Sequence, residues 1–523
     1  MKRRDFLRGV VASSAAGVLA DSWGATTQPN PARPHVLVIH TDQHRIDCLG
    51  AYGNAQIKTP RIDALAADGV RFNNSFCPYP VCTPSRFSLL TGLYVHQHRG
   101  WTNHCTLPPG TPTLPGLLRK AGYKTKAIGK MHFTPTYLDA GFEEMELCEQ
   151  DGPGRWDDDY HRELMRLGLV DVNDLEDQRQ EYRKNAPKEY WEKFGAMASN
   201  LEEKHHTTTW IGDRAVQSLE KWDEAAPRML MVGFVKPHHP FDPPVPWDTM
   251  YDPEKMTILS GWTEENLPRD LAHSKGYFPH KDLTRPAVRR VTAYYYATIS
   301  QIDHHVGRMI DVLKKKGLYR RSLIVFTSDH GEYMGFHHLL LKGNCMYDPL
   351  VKVPLIVKFP GELGAGGVSE ELVNTVDVAP TVLKPAGVKP GKDMSGLDLA
   401  SLREGGGREI VFCESSGGKE VMARSRTRKL ILRTHGKTGE NLFFDLEKDP
   451  LELSNLYEDP SRKDEVARLT RAVEDWRPAR DLPETYLDED ARQINQPNVP
   501  SRDRSHRREI IEYYDRKMKA AKR

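Results

Sequence analysis

The sequence predicts an α/β protein: a large, mostly parallel sheet flanked by helices, followed by a smaller C-terminal antiparallel-sheet subdomain. Across residues 31–390, continuous apolar runs of strand length end in polar clusters and alternate with segments of helical period, the pattern of strands buried on both faces between helices. In residues 391–523 short strand-like runs follow without long helices between the first three, as antiparallel strands do. At 523 residues the chain is long enough for one large domain carrying a smaller one.

Residues 1–30 stand apart. Lys2-Arg3-Arg4-Asp5-Phe6-Leu7-Arg8, followed by the apolar run Gly9 to Ala20, resembles a twin-arginine export signal with small residues at Ala20 or Ala25 for cleavage. The expected location is periplasmic or secreted. The run is too short and too rich in Gly, Ala and Ser to span a bilayer, and no later segment approaches a span, so no stable membrane insertion is expected.

The first strand is His35 to His40, ending in Thr41-Asp42-Gln43-His44-Arg45. Thr59 to Gly69 has a cap, a proline at the first helical position, apolar spacing at 62, 65 and 66, and a terminating glycine, so it reads as a short amphipathic helix. Further strands are expected at 125–128, 229–235, 323–327 and 354–359, with helices around 113–121, 207–222 and 289–315. Segment 150–205 is charged, aromatic and poorly periodic, and reads as an insertion over the sheet edge; such insertions often line a cleft. The runs 410–413, 421–424, 430–433 and 442–446 form the small sheet.

Charge excludes some classes. Lys plus Arg total 74 against 72 for Asp plus Glu, and no basic face with groove-reading elements is visible, so nucleic acid is not expected as a partner. The basic stretch Ser501 to Arg508 reads as part of a solvated terminal helix. Seven cysteines without a C-x-x-C pair argue against a zinc ribbon or disulfide framework, and the odd count fits one spent on chemistry.

Candidate chemistry gathers after the strands. Asp42 and Gln43 follow the first strand, and Asp329, His330, Gly331 and Glu332 follow 323–327; ligands at the carboxyl ends of parallel strands converge on one crevice. Their oxygen-rich set favours a hard divalent cation, calcium first, then magnesium or manganese. Gly129-Lys130-Met131-His132 and Lys236-Pro237-His238-His239-Pro240 close two more strands, and Lys342 lies in His338-Leu339-Leu340-Leu341-Lys342-Gly343-Asn344. Cys82-Thr83-Pro84-Ser85-Arg86 places a cysteine just ahead of a helix expected to start near Pro84, where a helix N-terminus stabilises negative charge.

From about Pro34 to about Leu456 these motifs occur in the order of type I, formylglycine-dependent sulfatases of the alkaline-phosphatase-like superfamily, which the chain resembles; Asn441 to Leu456 resembles that family's C-terminal subdomain. The resemblance implies that a formylglycine-generating enzyme oxidises Cys82 to an aldehyde whose hydrate attacks sulfur. It implies one calcium ion on Asp42, Gln43, Asp329 and His330, with an oxygen from the residue derived from Cys82. Lys130 and Arg86 would bind the nucleophile. His132 would be the base that breaks the covalent sulfate ester, and His238 and Lys342 would contact sulfate and help protonate the leaving oxygen. Gln43 and His330 sit where some members carry Asp and Asn, both neutral replacements. Asp348 and Lys352 stand where members usually show Glu and Arg, and carry no assigned role.

The expected substrate is a sulfated carbohydrate or other sulfated small molecule. His96, His98, Arg99, Trp101 and His104 after the nucleophile helix, and Arg155, Trp156, His205 and His206 in the insertion, either recognise a sugar ring or second anion or merely fill loops. Two alternatives stay open: a phosphonate or phosphate ester hydrolase of the same superfamily, and a non-catalytic cation- or glycan-binding protein.

Overall fold

A computed structural model describes residues 33–150, 158–265, 267, 269–270, 278, 280–343, 345–403, 405–433, 440–477 and 505–521. The export-signal expectation, Arg155 and Trp156 fall outside them. Among the described residues no helix is long and apolar enough to cross a membrane.

The large sheet comprises β1 (Val36–Thr41), β2 (Val70–Phe76), β3 (Lys124–Gly129), β4 (Glu144–Leu147), β5 (Arg228–Gly233), β6 (Leu323–Ser328), β7 (Leu355–Lys358) and β8 (Gly367–Asn374). Their order is β4-β3-β5-β1-β6-β7-β2-β8. The run from β4 to β6 is parallel, β7 is antiparallel to both neighbours, and β8 is parallel to β2. The small sheet, β9 (Val411–Ser415), β10 (Glu420–Arg424), β11 (Arg428–Arg433) and β12 (Leu442–Asp445), is antiparallel in the order β12-β11-β10-β9.

The helices that matter here are α1 (Pro60–Ala67), α2 (Cys82–Thr91), α3 (Leu114–Lys120), α4 (Val172–Gln178), α5 (Thr207–Glu220), α6 (Arg285–Lys315), α7 (Val378–Leu383), α8 (Lys463–Trp476) and α9 (Ser505–Ala521). The two-residue alternation of β1 assigns them to faces. Leu37 and Ile39 join a core with Ile62, Ile211, Leu219, Val291 and Ile302 of α1, α5 and α6. Val36 and Val38 join a second core with Phe87, Leu90, Leu118 and Val382 of α2, α3 and α7. Burying each such side chain stabilises by about 1.5–3 kcal/mol, so the apolar runs of the central strands fix the sandwich. One face of the small sheet (Cys413, Met422, Ile431, Phe444) packs on Phe76, Tyr333 and Tyr347, and the other (Val421, Leu430, Phe443) on Leu469 and Val473 of α8.

Three expectations change. The helix carrying the cysteine begins at Cys82 itself, after an extended Val81 (φ −142°, ψ 144°); Pro84 fits inside the first turn because amides there have no intrahelical partner to lose. The insertion is more ordered than its pattern suggests: Asp158 and Asp171 cap short helices by accepting from His161 and Asp174 amides. The terminal helix is not simply solvated. Ile510, Tyr514 and Met518 of α9 are buried at i, i+4 spacing against Leu175 of α4, and the Tyr514 hydroxyl donates to the His161 carbonyl at 2.5 Å.

Candidate active site

Four adjacent parallel strands, β3-β5-β1-β6, deliver the sequence-expected residues at their carboxyl ends. The register Thr41↔Ser328 brings Asp42 beside Asp329. Gly129 pairs with Gly233; a Cβ at Gly129, whose φ is 88°, would lie 2.1 Å from the Gly233 carbonyl oxygen. Only glycine permits this approach, which presents Lys130 and His132 to the crevice.

Asp42, Cys82, Asp329 and His330 are fully buried, with one donor atom from each within 4.8 Å of the others. The His330 ring anchors Nδ1 on the Gly331 carbonyl at 2.9 Å, which leaves Nε2 towards Asp42 and Asp329, each 3.8 Å away. Gln43 has φ 63°, its Nε2 donates to Glu332, and its Oε1 is buried without a hydrogen-bond partner. Burial, with Asp42 beside it, pushes the Asp329 carboxyl up to about 6. Against burial, Asp329 draws the His330 imidazole up to about 9. Two buried carboxylates, an unpartnered amide oxygen and an anchored imidazole whose Nε2 proton a cation would displace make a donor set that fits a hard divalent cation.

Arg86 joins this cluster through both carboxylates. Its Nε donates to Asp329 Oδ2 at 3.0 Å, one terminal nitrogen to Asp42 Oδ2 at 2.9 Å and the other to the Lys130 carbonyl at 2.6 Å. It spans both carboxylates, while Lys130 Nζ lies 2.8 Å from Asp42 Oδ2.

Cys82 sits in a cationic cradle. Lys342 Nζ donates to Cys82 Sγ at 2.9 Å and to His238 Nε2 at 3.0 Å, and lies 3.2 Å from His330 Nε2. Burial and Asp42 oppose ionisation at position 82, yet Lys342, Lys130 and the His132 imidazole hold the thiol well below its usual range. The His132 amide is gripped by Glu149 Oε1 at 2.9 Å. On the other side, the His238 ring donates from Nδ1 to the His239 carbonyl at 2.7 Å. Burial, Lys342, His239 and Lys130 keep His238 neutral, with its pKa held well below the usual.

The structure therefore brings together Asp42, Gln43, Cys82, Arg86, Lys130, His132, His238, Asp329, His330 and Lys342. It also supplies residues that sequence reasoning missed. Glu149 and Gln150 follow β4, and Asp174, Asp177 and Gln178 come from α4. Gln150 Oε1 accepts from Lys130 Nζ at 3.3 Å. A signal existed for the first two, since they lie just beyond the carboxyl end of a parallel strand, but β4 is an edge strand with only Leu147 fully buried and too short to show a period.

The aromatic patches are largely structural. His98 Nε2 donates to Ser88 Oγ at 2.9 Å, His96 pairs with Glu414 at 3.1 Å, and Trp101 packs on Tyr79 and Val95. His206 caps α5 through the Thr208 amide at 3.4 Å. His205 lies in the turn before α5, where its carbonyl accepts from Tyr160; Arg99 (φ 62°) ends a short helix, and His104 is exposed.

Residues 34–388 match the family model described as Sulfatase, and residues 335–479 match the one described as N-sulphoglucosamine sulphohydrolase, C-terminal. The chain belongs to the sulfatase family. An arylsulfatase of Clostridium perfringens is 30% identical over 463 residues, covering 84% of this chain and 94% of that protein. An N-acetylglucosamine-6-O-sulfatase of Bacteroides thetaiotaomicron is 25% identical over 497 residues, covering 81% and 83%. Among solved structures, the phosphonate monoester hydrolase of Agrobacterium radiobacter superposes with a TM-score of 0.72 at 26% identity, covering 86% of this chain and 96% of that one. Family and relatives make this sulfatase a sulfuric ester hydrolase, which removes the non-catalytic alternative.

Proposed function

We propose that this sulfatase hydrolyses the sulfate ester of a sulfated carbohydrate, using a formylglycine at position 82 and one calcium ion, after twin-arginine export to the periplasm or beyond. The observation that carries the mechanism is the buried position 82 at the start of α2, ringed by Lys342, Lys130 and His132. Such a cradle stabilises an anionic oxygen as well as a thiolate. The sugar assignment is supported by the relative named as an N-acetylglucosamine-6-O-sulfatase.

Asp42, Gln43, Asp329 and His330 would hold the cation, which supplies positive charge to the sulfate oxygens; formylglycine supplies a hydrated aldehyde as nucleophile. The chain's own residues do the rest. Arg86 fixes both carboxylates. Lys342 carries the proton for the leaving oxygen, because His238, neutral and with Nδ1–H committed to a carbonyl, presents a lone pair at Nε2 to that ammonium. His238 thus acts with Lys342 as one acid–base pair. His132, whose carbonyl accepts from Thr83 next to residue 82, would remove a proton there in the second half of the cycle.

The structural likeness to a phosphonate monoester hydrolase supports a second reading on phosphorus rather than sulfur. Three measurements decide. The tryptic peptide 72–86 from enzyme co-expressed with a formylglycine-generating enzyme should show the thiol-to-aldehyde mass loss, and full activity with an intact thiol would overturn the mechanism. Chelation should abolish turnover, with calcium restoring it. Aryl sulfate should be turned over faster than aryl phosphonate; the reverse order would favour the second reading.

A further inference from the structure

The turn that carries His238 is held from outside the core fold. The His239 carbonyl, which fixes the His238 ring through Nδ1, also accepts from Gln150 Nε2 at 2.7 Å and from Gln178 Nε2 at 3.1 Å. Both amides belong to the insertion side. Gln150 is 1% exposed, and its second Nε2 hydrogen goes to Asp174 Oδ1 at 2.9 Å while Oε1 faces Lys130 Nζ at 3.3 Å. Its orientation is thereby unambiguous, oxygen to the ammonium and nitrogen to the acceptors. Asp177 adds a second grip: its Oδ1 lies 2.5 Å from His239 Nδ1 and its Oδ2 accepts from Tyr190 at 2.6 Å. The rings of His238 and His239 stack with centroids 4.1 Å apart.

We propose that Gln150 and Gln178 are positioning residues for proton delivery to the leaving oxygen: by clamping the His239 carbonyl they hold His238 as the Nδ1–H tautomer, with Nε2 on Lys342. The inference rests on the reading that Lys342 and His238 protonate the leaving group. Gln178 Nε2 meets the carbonyl and ring of His239 and its own neighbour Asp177, whereas Gln150 also touches Lys130, so the two residues make separable predictions. Loosening the carbonyl lets the His238 ring turn or exchange tautomer, and Lys342 then loses its partner. An ester with a good leaving group needs little protonation and feels this weakly; an alkyl or sugar sulfate feels it in full.

The test uses full-length enzyme with formylglycine occupancy measured on peptide 72–86 in every variant. Gln178→Met should lower kcat for a simple alkyl sulfate about 10-fold more than kcat for 4-nitrophenyl sulfate, a fraction of the ~10²–10⁴ available to a general acid. Gln150→Met should show the same selectivity plus a loss common to both esters through Lys130. Gln150→Glu, which keeps an acceptor for Lys130 but loses both donors, should restore the common part and leave the selectivity. Equal losses on both esters in Gln178→Met and Gln150→Met, or no loss in either, would overturn the proposal, because a merely structural role cannot distinguish leaving groups. If the wild type instead turns over phosphonate monoesters, alkyl against 4-nitrophenyl leaving groups on phosphorus read the same selectivity, so failure of the sulfate reading is told apart from failure of this one.

Discussion

Asp42, Asp329 and Lys130 stand at the ends of β1, β6 and β3, whereas Asp174, Asp177 and Gln178 reach the same site from α4 in an insertion. The first group is set by sheet register: Thr41 pairs with Ser328, and Gly129 with Gly233, inside cores that bury nearly every flanking side chain. The second is set by side-chain hydrogen bonds and by one exposed-side helix, α9, packed on Leu175. The difference teaches a division of labour. In the proposed function, strand ends would fix the charges that every substrate meets, and the insertion would adjust the turn that carries His238.

The comparison breaks most directly at the strand ends. Asp42→Ala or Asp329→Ala should cost at least about 10²–10³ in kcat for good and poor leaving groups alike. Each also strips a partner from the fully buried Arg86, and breaking a buried pair from one side costs about 3–5 kcal/mol, so thermal stability should fall in parallel. Wild-type enzyme that kept native turnover after chelation would remove the metal from the mechanism.

A second break separates two histidines that both stand on strand-end loops. His238→Ala should slow an alkyl sulfate by about 10²–10⁴ and an activated aryl sulfate far less. His132→Ala should slow both esters equally and leave an initial burst of 4-nitrophenol followed by a slow steady state. Stopped-flow traces on the two esters distinguish them, and identical leaving-group dependence without a burst in either would refute the division.

How much of this was legible in the sequence follows from the same contrast. The apolar runs of β1, β5 and β6 announced themselves because both faces of those strands are buried, and the residues just beyond them are fixed by chain adjacency. The strands β2, β4 and β8 did not: Val70 to Phe76 carries Arg71, Asn73 and Asn74 towards partly exposed positions, and Glu144 to Leu147 is an edge strand. Asp177 was unreadable because its role depends on a contact 62 residues away along the chain, and the signal for Gln150 was weak because the strand before it is an edge strand too short to show a period. The Cys82 helix start was misplaced by two residues because Pro84 reads as a first helical residue but stands in the third position.

The insertion can be loosened without touching a site residue. Deleting α9 by ending the chain before residue 505 exposes Leu175 and removes the Tyr514 and Tyr513 hydroxyl bonds to His161 and Leu169 carbonyls. The expected result is a leaving-group-selective loss like that of Gln178→Met but smaller, roughly 3–10-fold on a poor leaving group, with faster hydrogen exchange in 158–178. Unchanged exchange there would show that α9 does not hold the insertion.

The finest test lies at Glu149, where β4 hands over to the insertion. Burial pushes its carboxyl up to about 7, although the amides of His132 and Met131 and the Lys130 ammonium favour the charged form. A carboxyl whose folded pKa is raised binds its proton more tightly in the native state than in the unfolded one. Its contribution to stability is therefore fully present below the unfolded value of 4.5 and is lost as pH rises through about 7. At about 1.4 kcal/mol per pKa unit, the loss is at most on the order of 3 kcal/mol. Glu149→Gln carries no titrating proton and keeps an oxygen for the His132 amide, so the wild type should lose more thermal stability between pH 5 and pH 8 than the variant does. Parallel stability profiles for the two across that window would mean that Glu149 is charged throughout, and that the seam between strand ends and insertion is held by an ordinary carboxylate.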